Sequence, residues 1–208
     1  MRQAHAAMAR QGVSALDKLM VLSDALKLDE SARNAAEEHP LMTALGIPYP
    51  SILGRVHGGS WASTVMDEVV AEGRYGVRLG QTWREAETEL RQCITAASHD
   101  DQWLSANVPA LEVIGGKFSS ASVPEDSDLV VKLSEAAASV VGDAPSVIGF
   151  SAGTDMRLFI HEAKTPTVIY GPGSISQAHT SDEWVGLDEV TTCARVLAAW
   201  ADRELTTS

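Results

Sequence analysis

A strand-like run that stops at a Gly-Pro-Gly turn is the feature that most limits how this chain can fold. Residues 167–170 are β-branched or aromatic, and residues 171–173 end the run with turn-forming glycine and proline. A polar loop carrying His179 follows, and a helical pattern begins at Asp188. A strand-to-helix loop is typical of open α/β sheets, where ligands bind outside the carboxyl ends of strands. His179 is therefore a candidate site residue, and the alternative is a surface loop whose histidine has no role.

Composition and charge exclude several classes of function. The 208 residues correspond to one or two domains. Because the formal net charge is -12 and no basic run occurs, we expect neither nucleic acid nor an anionic membrane as a partner. No apolar stretch approaches the roughly 18 residues of a spanning helix, and no signal-peptide core is visible near the amino terminus. These features predict a cytoplasmic protein.

The first half of the sequence alternates between helical and strand-like patterns. Apolar residues at helical spacing predict amphipathic helices over 12–27 and 81–97. Strands are predicted at 51–57 and within 64–77, and a shorter one at 111–114. The order of these elements predicts a ferredoxin-like β-α-β-β-α-β sandwich that lacks its first strand.

The second half predicts a layered α/β structure. Helices and strands alternate along it, at 128–141, 147–150, 156–161, 167–170 and 188–203. The expected fold class is therefore α/β, with an α+β domain over residues 1–116 followed by part of an α/β domain over 117–208.

Four segments in order resemble one family of enzymes. They are AHAAMARQGVSAL at 4–16, GGSWASTVMDEVVAEGR at 58–74, GTDMRLF at 153–159 and GPGSISQAHTSDEWV at 171–185. Together they resemble the two-zinc acetylornithine deacetylases, succinyl-diaminopimelate desuccinylases, aminoacylases and carboxypeptidase-G-like enzymes. The resemblance implies that residues 1–116 are the family's lid or dimerisation domain and that residues 117–208 are the carboxy-terminal part of its catalytic domain.

The resemblance also implies roles for individual residues. His179 matches the family's last metal ligand. His5 matches a lid histidine that, in the family, reaches across a dimer to polarise the scissile carbonyl. Arg157 matches the arginine that binds the substrate carboxylate, a task suited to a guanidinium fork, and Thr154 beside it is a candidate donor to the substrate.

Each of these assignments has an alternative. His5 lies near the amino terminus, where a solvated histidine with no role is common. Arg157 has acidic neighbours in Asp155 and Glu162, so a surface ion pair would also explain it. Helix capping alone would explain Thr154.

The chain departs from the family's pattern in the lid and, more seriously, in the metal site. Ser63, a candidate substrate-binding residue, stands where the family usually has asparagine, and Met66 stands where proline is usual. The family's remaining metal ligands, including an HxD motif, and its paired glutamates have no counterpart here. Glu37 and Glu38 are adjacent but have no HxD motif upstream. Since a catalytic zinc needs about three protein ligands, we expect the chain alone to bind zinc weakly and to be inactive.

Two functions remain open at this point. The first is the carboxy-terminal portion of a metal-dependent amidohydrolase that acts on N-acyl amino acids or small peptides, holds two zinc ions when complete and forms a homodimer through its lid. The second is a catalytically silent dimerisation or interaction module that keeps the fold without the metal site. A phosphate-binding loop at GPGS is not supported, because no Gly-Lys-Ser/Thr follows and no GxGxxG opens a helix.

Overall fold

Residues 3–206 are described by the structure, a computed structural model, and they divide into two units. The first unit contains residues 3–120 together with Gly149–Gly153, and the second contains Ala121–Ile148 together with residues 154–206. Residues 1–2 and 207–208 of the predicted domain ranges lie outside the described residues. The roles that the resemblance gives to 1–116 and 117–208 stay predictions.

Helices of the first unit begin where side chains cap their free amides. The unit contains α1 (Ala15–Ala35), α2 (Pro40–Thr43) and α3 (Trp83–His99), with 3-10 helices at Ala6–Gln11 and Leu104–Ala106. Ser14 Oγ accepts from the backbone N–H of Asp17 at the start of α1, at 3.2 Å. Thr82 and Glu85 form a reciprocal capping box at the start of α3. The helices predicted at 12–27 and 81–97 are confirmed, and α1 continues for two further turns.

A small core lies between the two long helices of the first unit. Leu22 of α1 and Ile94 of α3 are buried there with Leu104, and partly buried apolar side chains surround them: Leu26, Leu90, Ala97 and Trp103. The same stretches that showed helical spacing in the sequence supply this core. Burial of that apolar face is what stabilises the pair of helices.

The two strands predicted at 51–57 and within 64–77 form an antiparallel hairpin. They are β1 (Ile52–Gly58) and β2 (Val69–Arg74), and they are the only strands of the described chain. Helices with a small antiparallel sheet place the chain in the α/β class, as predicted.

The prediction of a strand at 111–114 is wrong. These residues alternate between half-buried and exposed positions, as in a strand, but make no backbone ladder within residues 3–206. A strand requires a hydrogen-bonding neighbour. Within residues 3–206 no strand lies beside this segment to pair with it.

The second unit consists of helices joined by extended segments. It contains α4 (Asp128–Val141), α5 (Met156–His161), α6 (Leu187–Thr206) and a 3-10 helix at Ile175–Gln177. Helix α4 has the predicted bounds and ends at Gly142, whose φ of 101° suits a residue without a Cβ. Helices α4 and α6 pack together around Leu133, Ala137 and Val196. None of the helices within residues 3–206 combines the length and apolarity that crossing a membrane requires.

The predictions of strands at 147–150 and 167–170 are also wrong. Both segments are irregular, although Val168 and Tyr170 pack on the α4–α6 core while Ile169 between them is 53% exposed. The residues at 167–170 therefore keep the alternation of a strand. No other strand pairs with either segment in the described chain, so the ladder that defines a strand does not form.

Candidate functional site

Two of the predicted site residues, His5 and Ser63, lie side by side in the first unit. His5 forms an isolated antiparallel bridge with Thr64. The N–H of Ala6 donates to the carbonyl of Ser63 at 2.8 Å, and the N–H of Val65 donates to the carbonyl of Ala4 at 2.8 Å. The chain around His5 is therefore held against the loop between β1 and β2.

The imidazole of His5 is oriented by the backbone that follows it. Its Nδ1 accepts a hydrogen bond from the N–H of Ala7 at 3.1 Å, which caps the 3-10 helix Ala6–Gln11. A neutral imidazole whose Nδ1 accepts carries its proton on Nε2. Since His5 is exposed, this Nε2–H can donate to a ligand. The geometry suits a donor to a carbonyl oxygen, and the role itself stays a prediction.

Thr154 and Arg157 lie together at the start of α5 in the second unit. Thr154 Oγ1 accepts from the backbone N–H of Met156 at 3.3 Å. Arg157 Nη1 lies 3.6 Å from Asp155 Oδ1, and the Arg157 side chain is 18% exposed. The ion pair of Arg157 with Asp155 is thus present, and the Thr154 hydroxyl makes a local hydrogen bond from the position before Asp155, the N-cap residue of α5. The substrate roles of the two residues stay predictions.

His179 occupies a left-handed turn between the 3-10 helix Ile175–Gln177 and α6. Its φ is 62°, an uncommon conformation that histidine adopts more readily than most residues. The backbone N–H of His179 donates to Glu183 Oε2 at 3.2 Å, and the histidine is exposed. Glu183 therefore shapes the loop that presents His179. The role of His179 as a metal ligand stays a prediction.

The described residues do not fit a two-zinc centre. Within 3–206, no three His, Cys, Asp or Glu side chains come together in a way that could hold a metal ion. His179 supplies one imidazole, whereas a catalytic zinc needs about three protein ligands.

Glu37 of the adjacent glutamate pair has a structural role in the first unit. It accepts from Tyr49 Oη and from the backbone N–H of His39, the latter at 2.6 Å. Burial raises the pKa of the Glu37 carboxyl, but the hydrogen bonds outweigh it and leave the pKa below its usual range. Tyr49 in turn accepts from the N–H of Leu79 at 3.1 Å. Glu37 therefore supports the loop ahead of α3.

Trp61 is an exposed residue near the site that the sequence-based assignments do not include. Its side chain belongs to the loop that carries Ser63, and the residue is 70% exposed. The signal that could have identified it is a single large aromatic residue within the run Gly-Gly-Ser-Trp-Ala-Ser.

Comparison of the sequence with protein families defines the class of this protein. Residues 34–203 match Peptidase family M20/M25/M40. This match covers most of the chain, and the chain belongs to that family. The family resemblance inferred from the four sequence segments is confirmed.

Two curated relatives are similar to the chain over part of their own length. Acetylornithine deacetylase of Edwardsiella ictaluri (strain 93-146) is 25% identical over 187 residues, covering 88% of the chain and 44% of the relative. N-formyl-4-amino-5-aminomethyl-2-methylpyrimidine deformylase of Bacillus subtilis (strain 168) is 23% identical over 161 residues, covering 72% of the chain and 38% of the relative. The chain thus spans less than half the length of each, and both are named as enzymes that remove an acyl group.

Solved structures share the fold. The chain superposes on the M20 family metallo-carboxypeptidase Sso-CP2 from Sulfolobus solfataricus with a TM-score of 0.68 and 15% identity, over 96% of the chain and 55% of that structure. It superposes on a tripeptidase from Staphylococcus aureus subsp. aureus mu50 with a TM-score of 0.58 and 19% identity, over 96% and 48%. At these identities the similarity supports the predicted fold class and carries no residue roles.

Proposed function

We propose that this chain is the carboxy-terminal portion of a metal-dependent amide hydrolase whose substrates are N-acyl amino acids or small peptides. The observation that carries the proposal is membership of the peptidase family over residues 34–203. Two acyl-removing relatives support the substrate class. We expect the chain alone to be inactive and to retain little zinc, because His179 is a single candidate ligand and a catalytic zinc needs about three.

The chain's own residues bind and orient the substrate in this proposal. His5 donates from Nε2 to the carbonyl of the scissile amide, where negative charge develops during hydrolysis. Arg157 binds the substrate carboxylate through its guanidinium fork, with Thr154 and Ser63 as further polar contacts. In the complete enzyme His179 would be one of the residues that hold zinc, and the metal would activate the attacking water.

A catalytically silent interaction module is the second candidate function. The observation that favours it is that residues 3–206 contain no cluster of metal-binding side chains. A family member of this kind could keep the fold for association alone. Metal content and hydrolysis distinguish the two candidates.

The decisive experiment measures hydrolysis with and without a polypeptide that supplies the HxD motif and the paired glutamates. The purified chain alone, given zinc and a panel of N-acetyl amino acids, is expected to release no free amine and to lose its metal on dialysis. Co-expression with that polypeptide is expected to produce hydrolysis that His179→Ala abolishes. His99→Ala is the control, because the His99 side chain is 86% exposed on α3.

Two outcomes would change this view. Hydrolysis by the chain alone, with metal that survives dialysis, would contradict the proposal that it is an incomplete enzyme. A co-expressed complex that forms but never hydrolyses any substrate would favour the interaction module.

We also propose a cytoplasmic homodimer formed through the first unit. Strands β1 and β2 pair only with each other in the described chain, so each leaves one edge unpaired. Such an edge is a ready surface for association with a second copy. Sedimentation of the purified chain at micromolar concentration should show a dimer, and a clean monomer would count against it.

A further inference from the structure

We propose that Trp61 is a specificity-determining residue whose indole forms a subsite for an apolar acyl group. In this arrangement His5 donates to the carbonyl of the same acyl group. The inference rests on the proposed function, since it names which N-acyl amino acids this part of the enzyme selects.

The first observation is the exposure of the indole on an ordered loop. Trp61 is 70% exposed, although moving a tryptophan side chain out of water lowers the free energy of the protein. A large aromatic side chain that presents both an apolar face and a polar N–H is a common anchor for ligands. The indole is therefore available to bind an apolar group.

The second observation is the rigidity of the backbone beneath it. Thr64 donates to the carbonyl of Trp61 twice, from its backbone N–H at 3.1 Å and from its Oγ1 at 2.8 Å. The N–H of Gly59 donates to the carbonyl of Glu68 at 3.1 Å and closes the base of the loop. Because the loop is already ordered, binding a ligand there costs little conformational entropy.

The backbone of Gly58 lies close to that of Glu68 at the base of the loop, and this contact also holds the loop in place. A Cβ on Gly58 would collide with the carbonyl oxygen of Glu68, so only glycine allows the two backbone segments of the hairpin to approach this closely. Gly59 follows with a φ of 72°, which also favours glycine. The Gly-Gly pair thus positions the Trp61 turn.

The third observation is the connection between this loop and His5. The bridge from His5 to Thr64 and the hydrogen bond from Ala6 N–H to Ser63 hold the His5 segment on the same loop. The Nε2–H of the exposed His5 imidazole is a polar donor, and the Trp61 indole is an apolar surface. An N-acyl group has the matching chemistry, because it joins a carbonyl acceptor to a hydrocarbon or aromatic substituent.

Aromatic acyl groups should gain most from this subsite. Aromatic rings pair favourably with an indole in offset or edge-to-face geometry, beyond the effect of the area they bury. We therefore expect N-benzoylglycine to bind about tenfold more tightly than N-acetylglycine, whose methyl group covers little of the ring.

The test is fluorine NMR on the intact chain labelled with 5-fluorotryptophan. The chain has five tryptophans, so each resonance can be assigned by single Trp→Phe substitutions. Titration with N-benzoylglycine should shift the Trp61 resonance, and N-acetylglycine should require about ten times the concentration for the same shift. Trp184, which is 62% exposed in the second unit, is the matched internal control and should not shift.

Two variants separate the indole from the histidine. Trp61→Ala should remove the preference for the benzoyl compound, measured by calorimetry. His5→Ala should weaken binding of both compounds by a similar factor, because both contain the same carbonyl. Circular dichroism of each variant checks that the fold is retained.

Several results would overturn the inference. It is wrong if the Trp61 resonance does not respond to either compound, if Trp184 responds equally, or if Trp61→Ala keeps the preference. It is also wrong if the Trp61 resonance shifts only with protein concentration, because the indole would then contact a second copy of the chain. Hydrolysis by the co-expressed complex without any effect of Trp61→Ala would refute this inference while leaving the proposed function intact.

Discussion

The guanidinium of Arg33 lies over the ring of Tyr75, with its Cζ atom 3.9 Å from the ring centroid. Arg33 also donates to Asp29 Oδ2 at 2.8 Å, to the carbonyl of Gly76 at 2.7 Å and to Ser51 Oγ at 2.6 Å. Tyr75 completes the network by donating to Asp29 at 2.9 Å. Arg33 is 6% exposed, so this paired charge connects α1 to the ends of both strands within the first unit.

Removing the Arg33 guanidinium should destabilise the chain strongly. Arg33→Ala leaves a carboxylate and a carbonyl without their donor, and loss of one partner of a buried pair costs about 3–5 kcal/mol of the free energy of unfolding. Arg91→Ala is the control, because the Arg91 side chain is 47% exposed and pairs with Glu87 on the surface of α3. That change should cost less than about 1 kcal/mol. Urea unfolding curves that moved equally for both variants would contradict the structural role of Arg33.

Two glycines of β1 should respond differently to substitution by alanine. Gly58→Ala should lower the free energy of unfolding by about 1–3 kcal/mol, since its Cβ would meet the backbone of Glu68. Gly54→Ala meets nothing closer than a carbonyl oxygen at 4.0 Å. It should be neutral or stabilise the strand by up to about 1 kcal/mol. Thermal unfolding of the two variants tests this, and equal melting temperatures would argue against the close approach at Gly58.

All three tyrosines should ionise at higher pH in the folded chain than in the unfolded chain. Burial raises the pKa of Tyr49 to about 12, and it also raises the pKa values of Tyr75 and Tyr170. A raised pKa in the folded state means that the associated stability is fully present below pH 10 and is lost as pH rises through the folded pKa. Phenolate absorbance should therefore stay low near pH 10 in the native chain and appear there in urea. Native absorbance that rises at about pH 10 would show that the tyrosines are solvated.

Substitution of Arg157 should change the preference for a substrate carboxylate. In the hydrolytic complex formed by co-expression, the chain should favour an N-acyl amino acid over its amide by about tenfold to a hundredfold. Arg157→Ala should remove this preference, and Arg157→Lys should nearly do so because a point charge lacks the guanidinium fork. The ratio of kcat/KM for acid and amide measures it. If Arg157→Ala leaves the ratio unchanged, Arg157 does not bind the substrate carboxylate.

The helices and their ends could be predicted from local sequence. Residues 128–141 have helical spacing and are followed by Gly142, and α4 has those bounds. Spacing and capping depend on neighbours within a few positions, so they are visible in the chain itself. The hairpin of β1 and β2 follows from two alternating runs that lie close in sequence. The family could be recognised because short segments keep their order along the chain.

The tertiary structure alone decided which strand-like segments become strands and which polar residues meet. Residues 111–114 and 167–170 have strand composition, but a ladder needs a neighbour that composition does not reveal. The contact of Arg33 with Tyr75 likewise joins residues far apart in sequence. The Nε2–H tautomer of His5 depends on the position of one backbone amide. Local propensity determines helices and turns, whereas pairing, burial and hydrogen-bond direction depend on which distant segments pack together.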